Sequence, residues 1–295
     1  MAEPVGTNIF QFHKSEGQHI LKNPMIAQQI VDAAELRRTD VVLEIGPGTG
    51  NLTMKMLPFC KKLIAIEIDP RMAAELKKRV SVTDYVKKLE IIQGDFLKVE
   101  LPYFDVCVSN TPYSISSPLV FKLLNHRPQF RSAVLMFQRE FAMRLVAKPG
   151  DPLYCRLSVN TQLLADVFHV MKVGRNNFKP PPKVESSVVR MIPVKPAPPL
   201  NLVEFDGFLR ICFLRKHKTL SSLFRISSVL EVMEKNLRII AKIRNIPIDE
   251  NLDVKADVLQ ILEESGRAKS RAAQLTLDDF LELIYAFMKK NYHFC

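Results

Sequence analysis

Leu43-Glu44-Ile45-Gly46-Pro47-Gly48-Thr49-Gly50 runs from an apolar strand into a loop with glycine at every second position. Gly46, Gly48 and Gly50 permit a tight strand-to-helix turn and let backbone approach a ligand where a Cβ would clash. Glu67 ends the next apolar run, seventeen residues beyond Gly50, which places a carboxylate for both hydroxyls of a ribose. A dinucleotide site prefers G-x-G-x-x-G, because its third glycine lets helix and strand pack closely. Here the spacing is G-x-G-x-G preceded by Glu44, which favours an adenosyl cofactor over a dinucleotide.

Outward from this loop, strand-like runs alternate with helical patterns from about residue 24 to 148. That alternation predicts a mostly parallel sheet flanked by helices. Strands are expected at Val41–Ile45, Leu63–Glu67, Leu89–Gln93, Val106–Ser109 and Ala133–Phe137. Helices are expected at Pro24–Leu36, Leu52–Leu57, Pro70–Val80, Pro118–Leu124 and Arg139–Ala147, with Pro24 and Pro70 in first turns where a missing N–H costs nothing. The group Leu157–Leu164, Val167–Val173 and Val184–Ile192 is consistent with an antiparallel edge to the sheet. Pro193-Val194-Lys195-Pro196-Ala197-Pro198-Pro199 cannot continue a strand or helix and reads as a linker. Beyond it the periodicity is helical: Val203–Leu214, Leu220–Phe224, Val229–Asn236, Val254–Glu264 and Leu277–Lys289. The expected organisation is an N-terminal segment over 1–23, an α/β domain over 24–192, a linker over 193–200 and an all-α domain over 201–295.

Composition narrows the partners. The 295 residues are 47% hydrophobic and 25% charged, with a formal net charge of +11, which suits a polyanionic partner. From Lys122 to Lys195 there are thirteen Lys and Arg against Glu140, Asp151, Asp166 and Glu185. Residues 201–295 are nearly balanced, fifteen basic against thirteen acidic, although Arg215, Lys216, His217 and Lys218 form a compact basic cluster suited to phosphates. No apolar run is long enough to cross a bilayer. Met1 to Phe12 reads as neither a secretory signal nor a mitochondrial transit peptide. The five cysteines lack C-x-x-C spacing, so neither a disulfide framework nor a metal site is expected.

The acceptor chemistry is carried by Asn110-Thr111-Pro112-Tyr113, which follows a strand. An adenine N6 is a poor nucleophile because its lone pair is delocalised into the ring. Two acceptors on its two N–H bonds, the Asn110 side-chain oxygen and the Pro112 carbonyl, would turn that lone pair toward a methyl donor. Tyr113 can stack on the base, so positioning supplies most of the catalysis. Gly94-Asp95 fits a carboxylate accepting the cofactor's adenine amino group, or an ordinary turn. Gln18-His19-Ile20-Leu21 precedes the first helix and can fold over the cofactor. Phe178, in Phe178-Lys179-Pro180-Pro181-Pro182-Lys183, could cover the opposite face of a flipped base or plug a loop.

With these residues in hand, the chain resembles the ribosomal small-subunit RNA adenine N6,N6-dimethyltransferases. The similarity includes Gly17–Asn23, the glycine loop, Asn110–Tyr113, Gln138–Ala142, Tyr154–Ser158 and Phe178 through Arg190, and it runs to the C-terminus. Tyr154–Ser158, Phe178 to Arg190 and Phe213–Leu220 look like the eukaryotic nuclear branch. The resemblance implies a class I, Rossmann-like S-adenosylmethionine methyltransferase domain with a smaller helical domain. It also implies dimethylation of two adjacent adenosines near the 3′ end of small-subunit rRNA, and a part in small-subunit ribosome biogenesis. It places the cofactor against Gln18, His19, Leu21, Gly46, Gly48, Gly50, Glu67, Asp95 and Asn110, and catalysis on Asn110, Pro112, Tyr113 and Phe178. RNA contacts are expected from Arg139, Arg144, Lys148, Lys179, Lys183, Arg215, Lys216 and Lys218. The expected partners are rRNA within pre-ribosomal particles and assembly proteins, with no membrane. The expected location is the nucleus and nucleolus, with the cytoplasm as the alternative, and the free protein is expected to be a monomer. The family usually has Leu or Ile where this chain has Thr111. Two other readings stand beside this one: a non-catalytic RNA-binding assembly factor that keeps the fold, and a DNA adenine N6-methyltransferase, which uses a similar four-residue motif.

Overall fold

Polar caps set where the first helices begin. In the computed structural model, which describes residues 19–247, 249 and 252–294, Asn23 accepts hydrogen bonds from the amides of Met25 and Ile26 and starts α1 (Pro24–Ala33). Asp69 does the same for α3 (Pro70–Ser81) through the amide of Arg71. Both helices carry proline at their first turn, as expected. Gln18 and the preceding residues lie outside the described residues, so the expected cover over the cofactor is represented only from His19 onward.

One compact unit comprises residues 1–143 and 165–193. Its core is a seven-stranded sheet of β2 (Val41–Ile45), β3 (Lys62–Glu67), β4 (Leu89–Gln93), β5 (Val106–Asn110), β6 (Ser132–Gln138), β7 (Ala165–Val173) and β9 (Ser186–Pro193). The order is β4-β3-β2-β5-β6-β9-β7, with β4 through β6 parallel and the last two strands antiparallel. Helices α2 (Thr53–Met56) and α4 (Ser116–Asn125) belong to the same unit. The strands β2 and β5 are neighbours although far apart in sequence. Chain direction across the sheet therefore reverses between them, and ligands bind at such a switch point, beyond the carboxyl ends of the strands. A small separate ladder pairs β1 (Ile20–Leu21) with β8 (Phe178–Lys179), and the Lys22 amide adds a hydrogen bond to the Asn177 carbonyl at 2.8 Å.

The second unit comprises residues 144–164 and 194–295. This differs from a division at the proline-rich stretch alone, and the reason lies in Leu157–Leu164. Those residues form a helix, α6 (Arg156–Leu164), not part of the antiparallel edge. The Ser158 hydroxyl donates to the Arg144 carbonyl at 2.5 Å, and the Gln162 amide donates to the carbonyls of Leu145 and Ala147. Buried Tyr154 donates its hydroxyl to the Leu275 carbonyl. Within α6, Ser158, Val159, Asn160 and Thr161 are weak helix formers beside three leucines, so tertiary contacts decide its state. Helix α5 (Arg139–Val146) spans the boundary between the units. The rest of the second unit is α7 (Leu202–Cys212), α8 (Leu220–Leu223), α9 (Ser227–Arg244), α10 (Val254–Glu264) and α11 (Leu277–Lys289), joined in an aromatic core around Phe208, Phe224, Phe280 and Phe287. Thr276 and Asp279 form a reciprocal capping box at the start of α11. The expected helix over 229–236 is longer, since α9 continues to Arg244 and stops at Asn245 in the left-handed region.

Candidate functional site: a cofactor cavity at the sheet's switch point

The cavity of about 380 Å³ lies in the first unit, beyond the carboxyl ends of β2, β3, β4 and β5. Gly46, Gly48 and Gly50 all have positive φ, from 56° to 85°. A Cβ on Gly50 would stand 2.5 Å from Leu76 Cδ1, while one on Gly46 would touch Pro112 at 3.4 Å. Glycine at 46 therefore lets the loop close against the Asn110–Tyr113 segment, which shares the same cavity wall. The loop is also tied from behind: Arg79 donates to the Thr49 carbonyl and to Asn51, and Asn51 donates to the Leu21 carbonyl at 2.7 Å.

Glu67 Oε2 accepts from the Gly48 amide and Oε1 from the Asp69 amide, both at 3.0 Å. Each oxygen keeps a lone-pair direction for a further donor, as a ribose diol requires. Burial pushes the Glu67 carboxyl above its ordinary range, and the two amides oppose that shift. Asp95 lines the same cavity, with Phe96, Ile68 and Met72 supplying apolar walls. Acidic groups for hydroxyl and amino hydrogens, amides, and a slot for a flat ring fit an adenosyl group.

Glu44 lies beneath the loop, 1% exposed, and accepts from the Thr53 hydroxyl at 2.6 Å. Burial, with a smaller contribution from the Glu67 charge, raises its carboxyl to about 8. At neutral pH it is protonated and offers the cavity a donor. A carboxyl raised from 4.5 to about 8 on folding holds its proton in the native state while the unfolded chain ionises. Its stabilising effect is therefore complete below pH 4.5 and is lost as pH climbs through 8. Between pH 5 and 9, wild type should lose a few kcal/mol relative to Glu44→Gln, measured by denaturant titration at each pH. Parallel stability curves would show that Glu44 is charged in the fold.

On the acceptor side, the Asn110 Nδ2 donates to the His19 carbonyl at 2.8 Å, which leaves Oδ1 as the acceptor. The Tyr113 hydroxyl is hydrogen-bonded to Ser186 at 2.6 Å, and its ring stands 5.7 Å from that of His19. His19 Nδ1 donates to the Pro180 carbonyl at 2.9 Å. Thr111 is accommodated: its hydroxyl reaches Ser109, which in turn donates to the Ile45 carbonyl, so no polar atom is stranded where the family usually has Leu or Ile.

The structure thus brings His19, Leu21, Gly46, Gly48, Glu67, Asp95, Asn110, Pro112 and Tyr113 to one cavity. Gly50 supports it from the turn without lining it. Phe178 does not join them. It is 1% exposed, paired with Leu21 across the β1–β8 ladder and packed in the apolar core with Ala27 and Val173. Of the expected RNA contacts, Lys179 and Lys183 are exposed and Arg139 half-buried in the first unit. Arg144, Lys148, Arg215 and Lys218 are exposed in the second. Lys216 is otherwise engaged, donating to the carbonyls of Pro152 and Tyr154. Sequence reading passed over Phe96, Ile68 and Met72; only Phe96 carried a signal, as an aromatic directly after Gly94-Asp95.

Comparison with known proteins gives a consistent answer. The family model described as Ribosomal RNA adenine dimethylase matches residues 9–260. A probable dimethyladenosine transferase of Drosophila melanogaster is 60% identical over 96% of this chain and 92% of its own length. The dimethyladenosine transferase of Saccharomyces cerevisiae is 53% identical over 99% and 94%. Among solved structures, a dimethyladenosine transferase from Plasmodium falciparum aligns with a TM-score of 0.89 and 46% identity, covering 94% of this chain and 100% of that one. A 23S rRNA methyltransferase, ErmE, aligns at 0.65 and 27%, over 90% and 98%. The chain therefore belongs to the ribosomal RNA adenine dimethylase family, whose methyl donor is S-adenosylmethionine.

Proposed function

We propose that this protein dimethylates N6 of two adjacent adenosines near the 3′ end of small-subunit rRNA, acting on pre-ribosomal particles in the nucleus and nucleolus. The observation that carries this reading is the orientation of Asn110. Its amide nitrogen is committed to His19, which leaves its oxygen as the acceptor end of a side chain in the wall that the glycine loop and Glu67 also line. The eukaryotic relatives at 53–60% identity, named as dimethyladenosine transferases or probable ones, support adenosine dimethylation.

S-adenosylmethionine, when bound, supplies an electrophilic methyl group. Glu67 holds the ribose, and Asp95 with Phe96 receives the cofactor's adenine. The target adenosine leaves its stack to reach the cavity. There, Asn110 Oδ1 and the Pro112 carbonyl accept its two N6 hydrogens, and Tyr113, anchored by Ser186, supports the ring. The methylated nitrogen loses one proton to water, leaving a single N–H, so one of the two acceptors suffices for the second round. Exposed Lys179, Lys183 and Lys218 contact phosphates without reading sequence.

The test is transfer of labelled methyl groups from S-adenosylmethionine to immature small ribosomal subunits, followed by nucleoside analysis. Dimethyladenosine is the expected product. Tight subunit binding with no transfer would instead support the assembly-factor reading, and transfer to duplex DNA would point to the third.

A further inference from the structure

Lys122 lies on α4, outside the glycine loop and the Asn110–Tyr113 motif, and does not line the cavity. Its ammonium nevertheless donates to three carbonyls of one short segment: Phe96 at 2.7 Å, Leu97 at 3.0 Å and Val99 at 2.5 Å. An ammonium has three N–H bonds, and all three are used here. The same nitrogen stands 5.3 Å from the centre of the Phe96 ring. A lysine so engaged contributes nothing to a phosphate grip, although it belongs to the basic stretch counted from residue 122 onward.

The segment it holds carries part of the cavity wall. Gly94, Asp95 and Phe96 all line the site. Asp95 Oδ1 accepts from the Leu97 amide, and its carbonyl accepts from the amides of Lys98 and Val99, each at 2.9 Å. Glycine at 94 lets the turn fold tightly, since a Cβ there would lie 2.8 Å from Val99 Cγ2. The amides of the turn thus point inward to Asp95, while three of its carbonyls converge on one outside point. Converging carbonyl dipoles repel unless a cation sits between them, and charge-assisted hydrogen bonds of this kind are the strong ones.

We infer that Lys122 is a positioning residue for the cofactor: it clamps the 95–99 turn so that the Asp95 carboxylate and the Phe96 ring are set to receive an adenine. It takes no part in methyl transfer or RNA contact. This inference rests on the reading of the cavity as an adenosyl site.

The test compares wild type with Lys122→Met, which keeps the stem and removes the cation, and Lys122→Arg, which keeps the cation in a fork that cannot serve three converging carbonyls. Calorimetry with S-adenosylhomocysteine and with adenosine alone should show affinity falling about tenfold or more in Lys122→Met and less in Lys122→Arg. The adenosine probe isolates the adenine side. The KM for S-adenosylmethionine should rise by the same factor, while kcat at saturating cofactor and the KM for RNA stay at wild-type values. Unchanged cofactor affinity, or a loss confined to kcat or RNA, would overturn the inference. Should Lys122→Met fail to fold, Lys122→Arg decides on the same split. Wild type that binds neither probe would defeat the adenosyl reading of the cavity itself, a separate failure seen before any variant is made.

Discussion

Asn110→Ala is expected to slow methyl transfer by about two to three orders of magnitude at saturating cofactor and RNA, the range for removing one preorganised hydrogen-bonding group at a reacting centre. Asn110 does two jobs with the two ends of one amide. Its nitrogen holds the His19 carbonyl, and the same bond decides which way the amide is turned. Its oxygen, left as the accepting end in the cavity wall, is the proposed group that makes N6 nucleophilic. Alanine removes both, so cofactor affinity should also fall severalfold as the His19 segment loosens. Asn110→Asp separates the jobs. It keeps an acceptor but sets an anion against the His19 carbonyl, so it should lose more in cofactor binding and less in the chemical step than alanine. Single-turnover transfer and calorimetry together resolve the two. Wild-type single-turnover rates in Asn110→Ala would remove Asn110 from the chemistry and leave it a structural tie.

Gly207→Ala is expected to destabilise the second unit by about 3 kcal/mol, the upper end of the usual cost of overpacking, because the backbone of the 292–294 segment must shift. The sign is the informative part. Gly207 lies inside α7, where glycine to alanine ordinarily stabilises a helix by about 1 kcal/mol. Here a Cβ would fall 1.9 Å from the Phe294 carbonyl oxygen and 2.9 Å from its carbon, both backbone atoms that cannot swing aside. The segment that would have to move is tightly held. Tyr292 donates to Asp257, the Asn236 amide donates to the His293 carbonyl, and His293 pairs with buried Glu204 at 2.6 Å. The Phe294 ring packs on Phe208 and Phe287. Urea denaturation of the full chain reads the loss, and limited proteolysis near residue 290 should show the segment released. A variant as stable as wild type, or more so, would mean that the 292–294 segment does not dock on α7.

Much of the site was legible because its chemistry is local. The loop from Gly46 to Gly50 needs positive φ at three positions within five residues, and only glycine adopts that cheaply, so the pattern survives in the letters. The carboxylate ending β3 and the Asn-x-Pro-Tyr ending β5 are each short motifs with a fixed strand position. Parallel strands follow from alternating apolar runs and capped helices. The eleven apolar or β-branched letters of 157–173 did not reveal where helix turns to strand at 164–165, because that choice depends on partners such as Arg144 and Leu145 in the second unit.

Sequence by itself determined the cofactor loop, the positions of the parallel strands and the acceptor motif, since each is written in residues a few places apart whose backbone, burial or hydrogen-bonding needs are specific. Tertiary structure alone decided three things: that Phe178 is packed in the apolar core, that Asn110 is turned by His19, and that Lys122 is spent on the turn beside Asp95. Each depends on contacts between residues far apart in the chain, 91 positions for Asn110 and His19 and 23 to 26 for Lys122, and no local pattern encodes which distant carbonyl a side chain will meet.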